Sequence, residues 1–225
     1  MEGRPLLLGH RGTRRHKSIA ENTLAAFDFA LASGCDGFEF DVRLSADGQA
    51  VICHDATTPT HGLEIAHSAA EELGLPLLRE VLTRYRGKAF LDIELKVAGL
   101  EKITADLLRE CGSETSRLVV SSFLPEVLES FRRVDAEVPL GLICETQAQL
   151  RRWRELPVEY AIPHYKLIQK ELVSEIKSAG KKIIVWTVNT PAAMKRFAKL
   201  GVDGIVSDNP QQLFRILRAA SSSKK

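Results

Sequence analysis

Long apolar segments are missing from this sequence. No run of hydrophobic residues approaches the roughly 20 positions that a membrane-spanning helix needs. Residues 1–5 lack the apolar core of a signal peptide, and the leucines at 6–8 are too few to supply one. These absences predict a cytoplasmic protein without an integral membrane segment.

A large net charge and paired cysteines are missing as well. The formal net charge is +2, so the overall balance does not indicate nucleic acid or a membrane surface as a partner. The cysteines at positions 35, 53, 111 and 144 are far apart and form no C-x-x-C pair. This spacing excludes the usual zinc and redox motifs, and it predicts reduced cysteines that serve as small apolar side chains.

A glycine-rich G-x-G-x-x-G turn is absent after the first predicted strand, which argues against a doubly wound open sheet, the second-ranked architecture. The chain instead contains a regular alternation of strand and helix patterns without a linker. Nine strand candidates stand among eight helices, so one strand must be surplus or an extension of its neighbour. The alternation predicts an α/β protein, and a closed (β/α)8 TIM barrel in a single domain over residues 1–225 fits this length.

The predicted strands follow short apolar runs, and the predicted helices follow apolar spacings of three and four residues. The strands are expected at residues 6–10, 37–44, 50–54, 89–96, 118–123, 139–144, 158–162, 182–189 and 203–207. The helices are expected at residues 21–33, 76–86, 100–111, 125–134, 148–156, 172–179, 191–200 and 210–219. A short, irregular insertion occupies residues 56–75, and residues 220–225 form a frayed polar tail.

The segment Phe-Glu-Phe-Asp-Val in the second strand alternates in polarity. Glu39 and Asp41 point to one face, while Phe38, Phe40 and Val42 point to the other. Two neighbouring carboxylates are costly to bury without partners, and a divalent cation would remove that cost. These five residues therefore predict half of a metal site. An edge strand with a solvated polar face is the alternative that they leave open.

The same alternation recurs in the fourth strand. Asp92, Glu94 and Lys96 share one face of that strand. Because barrel enzymes place their sites at the carboxyl ends of the strands, Glu39, Asp41 and Glu94 are predicted to converge near the mouth of the barrel. Three carboxylates suit Mg²⁺ or Ca²⁺ better than Zn²⁺, which favours histidine and cysteine.

Histidines and cations stand at neighbouring strand ends. His10 and Arg11 follow the first strand, and His54 follows the third, while Lys96 lies at the end of the fourth. A metal, two bases and extra positive charge suit a phosphoryl centre, since they stabilise its oxygens and move protons. One histidine can take a proton from the nucleophile while the other gives one to the leaving oxygen.

Two other functions are compatible with some of these residues. Lys96 could form an imine in a Schiff-base aldolase, although three carboxylates nearby would hold it protonated. A barrel that binds phosphodiesters without catalysis is the second alternative. A decayed site should lack part of the constellation, and here both histidines and all three carboxylates are present.

An ordered set of motifs resembles the glycerophosphodiester phosphodiesterase family over residues 10–210. The motifs are His10-Arg11-Gly12, Glu21-Asn22-Thr23, Glu39-Phe40-Asp41-Val42, Asp47-Gly48, His54-Asp55, Glu94-Leu95-Lys96, Ser122-Phe123, Trp186-Thr187-Val188-Asn189 and Gly201-Val202-Asp203-Gly204-Ile205. Each motif is weak alone, but their order is specific. The resemblance implies a (β/α)8 barrel that hydrolyses small-molecule glycerophosphodiesters to glycerol 3-phosphate and an alcohol.

The resemblance also implies a divalent metal cofactor, Mg²⁺ or Ca²⁺, with Mn²⁺ as a further option. By this resemblance Glu39, Asp41 and Glu94 are the metal ligands. His10 and His54 are similar to the acid/base pair of the family. The order of their roles, the choice between direct water attack and a cyclic phosphate, and the oligomeric state stay open.

Four further residues match the family motifs. Arg11 and Lys96 resemble the phosphate contacts, and Glu21 matches a residue that supports the site. Trp186 is expected to offer an apolar wall to the glycerol or headgroup side. A basic cluster that is not a family motif, residues 14–17, follows on the first loop, where it is expected to attract anionic diesters.

Two departures from the family pattern concern loops. Ala20 stands where the family usually has proline, which should alter only the entry to the first helix. The insertion at residues 56–75 is shorter than is usual in the family and lacks its Leu-x-Arg-Thr pattern. Because loops build the binding face, headgroup preference does not carry over, and a lysophospholipase D-type phosphodiesterase stays an alternative.

Overall fold

Short apolar runs form the strands, and most of their residues are buried on both faces. The structure is a computed structural model that describes residues 4–112 and 114–222, with backbone alone for residues 219–222. The strands are β1 Leu6–Gly9, β2 Gly37–Leu44, β3 Ala50–Ile52, β4 Phe90–Leu95, β5 Leu118–Ser122, β6 Leu140–Cys144, β7 Tyr160–Pro163, β8 Lys182–Val185 and β9 Gly204–Ser207. The helices are α1 Leu24–Ala32, α2 Ala70–Leu73, α3 Leu78–Tyr85, α4 Glu101–Glu110, α5 Pro125–Val134, α6 Gln147–Arg151, α7 Lys170–Ser178, α8 Pro191–Leu200 and α9 Pro210–Ser222.

The sheet closes on itself. Within the described ranges, eight parallel strands follow the order β1-β9-β8-β7-β6-β5-β4-β2, and β2 pairs with β1 to complete the barrel. The remaining strand, β3, lies antiparallel to β2 outside the barrel. The predicted TIM barrel is therefore confirmed, and β3 is the surplus strand that the alternation required.

Apolar side chains fill the structure in two layers. The inner layer lies inside the barrel and contains Leu8, Phe90, Val119, Ile143, Tyr160, Ile162, Ile184 and Val206. The outer layer lies between the strands and the helices and is the larger of the two. Because both faces of the strands are covered, strands such as β1 and β8 are continuous apolar runs, whereas β2 and β4 alternate because they carry the acidic side chains.

The alternating segment of β2 takes its orientation from aromatic packing. The Phe38 ring stacks on Phe27 of α1 at 4.3 Å between ring centroids, and it meets Tyr85 of α3 edge-on at 5.1 Å. Phe38 and Phe40 are fully buried. The prediction that the apolar face of this segment packs against the helices is confirmed, so Glu39 and Asp41 point into the barrel.

The register between β2 and β4 positions the carboxylates. Glu39 pairs with Asp92, and Asp41 pairs with Glu94, in the parallel ladder. Adjacent strands lie about 4.8 Å apart, so paired side chains on the same face become neighbours. The two alternating segments therefore place four acidic side chains together inside one end of the barrel.

Some predicted boundaries were wrong, because side chains or turns end the elements earlier. The first helix begins at Leu24, not at residue 21, since Thr23 caps it by accepting a hydrogen bond from the Ala26 N–H. The strand predicted at 182–189 ends at Val185, and the one predicted at 50–54 ends at Ile52. The helix predicted at 148–156 is shorter, because α6 gives way to a 3-10 helix at Arg152–Arg154.

Two regions predicted to be largely irregular contain regular elements, and the short helix that the sequence favours over residues 68–73 corresponds to α2. The insertion at residues 56–75 holds a 3-10 helix, Ile65–His67, and α2, and it packs on a separate small apolar cluster. The last helix continues to Ser222, so the predicted frayed tail begins later than residue 220. Residues 223–225 of that tail lie outside the described residues.

The structure bears on two absences noted in the sequence, those of long apolar segments and of paired cysteines. None of the helices in residues 4–112 and 114–222 combines the length and apolarity that a bilayer crossing requires. All four cysteines are free, and only Cys111 is partly exposed, as the small apolar role predicted. The cytoplasmic location stays a prediction.

Candidate active site

A cavity of about 420 Å³ opens where the carboxyl ends of the parallel strands meet. One side of its wall is charged and consists of His10, Arg11, Arg14, Glu39, His54, Asp92, Glu94 and Lys96. The other side is mostly apolar and consists of Phe123, Ile143, Glu145, Ile162, Trp186, Thr187 and Val206. Asp41 lies beneath the charged side at 1% exposure, and Glu21 lies outside the cavity behind Arg11.

The three carboxylates predicted to bind metal converge. One oxygen each from Glu39, Asp41 and Glu94 lies within 4.8 Å of the others, and all three residues are buried. Among the described atoms, Glu39 Oε1 has no hydrogen-bond partner, and Asp41 Oδ1 makes no hydrogen bond although Lys96 Nζ lies 3.3 Å from it. Buried carboxylate oxygens without donors are unusual, and a hard cation is the partner that suits them.

The pKa values of the β2 pair diverge. Burial raises the pKa of Glu39 well above its usual range, and the neighbouring charges of Asp41 and Glu94 raise it further. Burial acts in the same direction on Asp41, but Lys96 and Arg11 outweigh it, so the pKa of Asp41 is lowered. Without a cation, the site therefore holds one carboxylate ionised and disfavours ionisation of the other.

The pKa values of the two acids on β4 are both raised. Burial above all raises the pKa of Glu94 to about 7, with the Asp41 charge adding to it and Lys96 opposing it. Burial raises the pKa of Asp92 to about 7 as well, although the Ser121 hydroxyl donates a hydrogen bond of 2.6 Å to its Oδ1. Burial thus leaves the pKa values of three of the four acids in the barrel raised, which is the environment that a bound cation would relieve.

Lys96 lies between two of the acids. Its Nζ is 2.6 Å from Glu94 Oε1 and 3.3 Å from Asp41 Oδ1. Burial lowers the pKa of Lys96, but these carboxylates more than compensate and leave the pKa raised. A protonated amine is not a nucleophile, so this environment disfavours the Schiff-base alternative.

Arg11 joins the first loop to the acidic cluster. Its backbone N–H donates to Glu39 Oε2 at 2.9 Å, and its Nη1 donates to Glu21 Oε1 at 2.5 Å. Its Nε lies 3.2 Å from Asp41 Oδ2. Arg11 and Asn22 both adopt left-handed backbone conformations, with φ of 49° and 57°, which non-glycine residues rarely do. Such conformations cluster at functional sites.

Asn22 was not assigned a role from the sequence, although it lies in a quoted motif. Its Nδ2 donates to Asp41 Oδ2 at 2.8 Å, and its Oδ1 accepts a longer bond, 3.3 Å, from the Asp41 N–H. These two bonds fix the Asp41 carboxylate from the α1 side. Asn22 therefore orients a predicted metal ligand.

His10 is held by a chain of hydrogen bonds that crosses three strands of the barrel. Its Nδ1 lies 2.6 Å from Asp208 Oδ1, and Asn189 Nδ2 donates to Asp208 Oδ2 at 2.6 Å. Asn189 Oδ1 accepts from the Asp208 N–H at 3.0 Å and from the Ser207 hydroxyl at 3.1 Å. This arrangement aims Nε2 of His10 at the acidic cluster, 3.8 Å from Glu39 Oε2.

His54 lines the same cavity, just beyond β3. Its Nδ1 lies 2.7 Å from Asp55 Oδ1, and its ring is about one-third exposed. Burial lowers the pKa of His54, and the opposing charges of Asp41 and Asp55 do not fully compensate. The ring is therefore neutral at pH 7, a state in which it can accept a proton.

The apolar side of the cavity is built on two aromatic rings. Trp186 meets Phe123 at 5.6 Å between centroids with an angle of 87° between the ring planes. The Trp186 Nε1–H donates to the Ile162 carbonyl at 2.8 Å, which fixes the orientation of the indole. Trp186 thus lines the cavity opposite the acids, in the position of the predicted wall.

Comparison with known proteins identifies the family. The model of the glycerophosphoryl diester phosphodiesterase family matches residues 10–75 and 69–212. The chain belongs to this family. A glycerophosphodiester phosphodiesterase of Caldanaerobacter subterraneus is 32% identical, with 95% of this chain and 98% of the relative covered. One of Bacillus altitudinis is 31% identical, with 93% and 97% covered.

Solved structures of the family share the fold. A phosphodiesterase of Oleispira antarctica has a TM-score of 0.85 and 26% identity, with 96% of this chain and 97% of that chain covered. That protein was solved in complex with the product sn-glycerol-3-phosphate. A Thermotoga maritima glycerophosphodiester phosphodiesterase has a TM-score of 0.79, with 96% and 100% covered, and its 24% identity supports the fold alone.

Membership of the family decides the class of protein. The chain is an enzyme, a phosphoric diester hydrolase, so the predicted resemblance is confirmed. The aldolase and the non-catalytic barrel, which the sequence had left open, do not fit this class. The roles of the individual residues are a separate question, because the comparisons name no residue.

Two residues that hold His10 were missed in the sequence. Asn189 ends a quoted motif and Asp208 directly follows the last predicted strand, but the sequence assigned no role to either. The available signal was their position, because polar residues at the carboxyl ends of barrel strands face the site. Their partner could not be read from the sequence, since Asp208 and His10 are 198 residues apart.

Proposed function

We propose that this chain hydrolyses glycerophosphodiesters to glycerol 3-phosphate and an alcohol, with a divalent cation held by Glu39, Asp41 and Glu94. His10 and His54 act as the acid/base pair. Mg²⁺ or Ca²⁺ is the cation, with Mn²⁺ as a substitute. The substrate is a small molecule, and the names of the relatives support its identity.

The observation that carries this proposal is the convergence of three carboxylates between two histidines in one cavity. Within the described part of the chain, Glu39 Oε1 has no donor, and Asp41 Oδ1 makes no hydrogen bond but lies 3.3 Å from Lys96 Nζ. An all-oxygen donor set of this kind suits a hard cation. When bound, the cation supplies Lewis acidity at the phosphoryl oxygens and offsets the charge that raises the pKa of Glu39.

The cations of the chain bind and orient the phosphate. Lys96 stands on the same face as Glu94, and its pKa is raised, so it carries a full positive charge. Arg11 keeps N–H donors beyond those that contact Glu21 and Asp41, since a guanidinium has five. Both side chains line the cavity and can donate to non-bridging phosphate oxygens.

The histidines move protons on the two sides of the phosphate. Asp208 fixes the Nδ1 side of His10, so Nε2 is the atom that exchanges a proton in the cavity. Asp55 plays the same part for His54 on a more exposed flank. One histidine takes the proton of the attacking nucleophile, and the other protonates the leaving oxygen. Trp186 contacts the organic arm of the diester.

Product detection tests the proposal directly. Purified protein is freed of metal with a chelator, and glycerophosphodiesters are then added with Mg²⁺, Ca²⁺ or Mn²⁺, with glycerol 3-phosphate measured by a coupled dehydrogenase assay. We expect turnover only with added metal. His10→Ala and His54→Ala should each lose nearly all activity while retaining metal binding in isothermal titration.

Full activity in excess chelator would reject the metal-dependent mechanism. Release of free glycerol and the phosphorylated alcohol, in place of glycerol 3-phosphate and the free alcohol, would reject the assigned bond cleavage. Glu126→Gln is a matched control, because Glu126 is an exposed carboxylate at the start of α5 that does not line the cavity. This variant should keep both metal binding and turnover.

A further inference from the structure

A single side-chain hydrogen bond joins the main chain of His54 to the barrel. Arg43 lies on β2, the strand that also carries Glu39 and Asp41, and its Nε donates to the His54 carbonyl oxygen at 2.8 Å. His54 stands two residues beyond the end of β3. Within residues 4–112 and 114–222, no other hydrogen bond joins its backbone to the barrel. Arg43 therefore fixes the position of this histidine relative to β2.

The residue before His54 is held by the same strand. The Cys53 N–H donates to the Asp41 carbonyl oxygen at 3.1 Å. The antiparallel ladder between β2 and β3 ends one residue earlier, where Val42 pairs with Ile52. Consecutive residues of the loop are thus attached to β2 by one backbone bond and one side-chain bond. The strand that presents two proposed metal ligands also supports a proposed proton carrier.

Arg43 itself stands outside the catalytic cavity. It does not line that cavity, and it lies instead on the wall of a separate groove of about 300 Å³, together with Ala56 and Val97. The bond to His54 is the one hydrogen bond of its side chain in the described part of the chain. Arg43 therefore differs from Arg11 and Lys96, which line the cavity, and any effect on the reaction must pass through another residue.

We propose that Arg43 is a positioning residue, which sets the reach of the His54 ring to the phosphate by holding the His54 carbonyl to β2. This inference rests on the proposed function, because it concerns the placement of one of the two proposed proton carriers. A group that exchanges a proton must lie within hydrogen-bond reach of the reacting oxygen. A misplacement of about 1 Å can lower the rate of a reaction by about 100-fold.

The first test is Arg43→Met, which keeps the length of the side chain and removes its donors. We expect kcat for glycerol 3-phosphate release from glycerophosphocholine, at saturating Mg²⁺, to fall by about 10- to 100-fold. KM and the Kd for Mg²⁺ should each change by less than about threefold, because neither the phosphate contacts nor the carboxylates are altered. This division between kcat and KM is not what a general loss of structure produces.

A double-mutant cycle asks whether Arg43 acts through His54. Two residues that act as one unit have effects that do not add. In the His54→Ala background, whose residual rate is measured with concentrated enzyme, Arg43→Met should lower kcat by less than about twofold further. An arginine that acted on the metal, the phosphate or the stability of the barrel would lower kcat by the same factor in both backgrounds.

Chemical rescue supplies an independent readout. In Arg43→Ala, the vacated space joins the groove beside Ala56 and Val97, so a small cation can enter it. Guanidinium chloride at tens of millimolar should raise kcat of this variant at least about threefold, and the same concentration of sodium chloride should not. Wild type and Arg79→Met, which changes an exposed arginine of α3 outside the cavity, should respond to neither salt. Circular dichroism checks that each variant is folded.

The outcomes separate this inference from the proposed function. A folded Arg43→Met variant with kcat within about twofold of wild type would overturn it. The same fold-loss with and without His54, or an Arg43→Ala variant that guanidinium does not rescue, would also overturn it and would leave the hydrolase intact. Near wild-type activity in His54→Ala would instead reject the proposed role of that histidine, and the positioning role of Arg43 with it.

Discussion

The hydrogen bond between His10 and Asp208 supports one prediction in particular. We consider Asp208→Asn, which removes one charge and one acceptor. Asn189 keeps its orientation in this variant, because its Oδ1 still accepts from the backbone N–H at position 208 and from the Ser207 hydroxyl. Its Nδ2 therefore continues to donate, so the new amide must turn its oxygen toward Asn189 and its NH₂ toward His10.

That orientation forces the wrong tautomer on His10. An NH₂ group facing Nδ1 requires a lone pair there, so the ring proton moves to Nε2. With its proton on Nε2, the neutral ring cannot accept a proton there as a base. The imidazolium that an acid requires is disfavoured as well, because it needs an N–H at Nδ1, which would face the amide NH₂. A lost charge-assisted bond is worth about 1.5–3 kcal/mol, and a forced tautomer in a catalytic triad lowers kcat about 10⁴-fold. We expect kcat to fall by about 10²- to 10⁴-fold with little change in KM.

A second substitution should reverse part of the loss. In the double variant Asp208→Asn, Asn189→Asp, the carboxylate at 189 accepts from the new amide NH₂, so the amide oxygen turns to His10 and accepts its Nδ1–H. We expect at least about tenfold recovery of kcat relative to the single variant. Steady-state kinetics at saturating metal measures both effects. Asp106→Asn, on the outer surface of α4, is the control for loss of a carboxylate elsewhere.

Two results would refute this reasoning. A folded Asp208→Asn variant with kcat within about twofold of wild type would show that Nδ1 of His10 needs no acceptor. Absence of any recovery in the double variant would show that the amide orientation is not set by Asn189. Thermal unfolding of each variant separates these results from a loss of structure.

The remaining predictions concern the metal, the pH and the core. Glu39→Gln should weaken Mg²⁺ or Ca²⁺ binding more than about tenfold in isothermal titration and abolish the metal-induced rise in Tm, whereas Glu126→Gln should change neither. Burial raises the pKa of Asp92 to about 7, so in metal-free protein its contribution to stability is full below about pH 4 and is lost as the pH rises through 7. In urea unfolding with chelator, Asp92→Asn should therefore exceed wild type in free energy of unfolding by on the order of 4 kcal/mol at pH 8, and by none at pH 4. The same dependence of the free energy of unfolding on pH in both proteins would contradict this. Phe38→Ala should lower the free energy of unfolding by about 3–5 kcal/mol in guanidinium denaturation, because the ring is fully buried, and a loss below about 1 kcal/mol would contradict its place in the core.

The sequence was sufficient for the parts of the site that depend on strand periodicity. Alternation in β2 assigned Phe38 to the helix side and Glu39 and Asp41 to the interior, and the structure confirms that assignment. The repeat of the pattern in β4 then predicted Glu94 as a neighbour, which the register provides. Side chains of a strand alternate between two faces, so once the apolar face is assigned to the helices, the other face must point into the barrel.

The parts that could not be predicted depend on closure of the barrel. Asp208 lies at the end of β9, and it meets His10 because the last strand pairs with the first. No local pattern encodes that pairing. Asn22 was missed for a different reason, because a left-handed backbone turn aims its side chain back at β2. Turn conformations of this kind come from tertiary contacts rather than from propensity.

The position of β3 outside the barrel has a consequence for the durability of the active site. His54 follows a strand that pairs with β2 alone among the named strands. Val51 and Cys53 pack in a small separate cluster with Ile65 and Leu73, while Ala50 and Ile52 of β3 join the main core. This hairpin can open as a separate cooperative unit without breaking a ladder of the closed barrel. We expect amides of residues 50–75 to exchange with solvent faster than those of β4 and β5. If His54 acts as proposed, the enzyme would thus lose one of its two proton carriers, reversibly, at temperatures where the barrel is still folded.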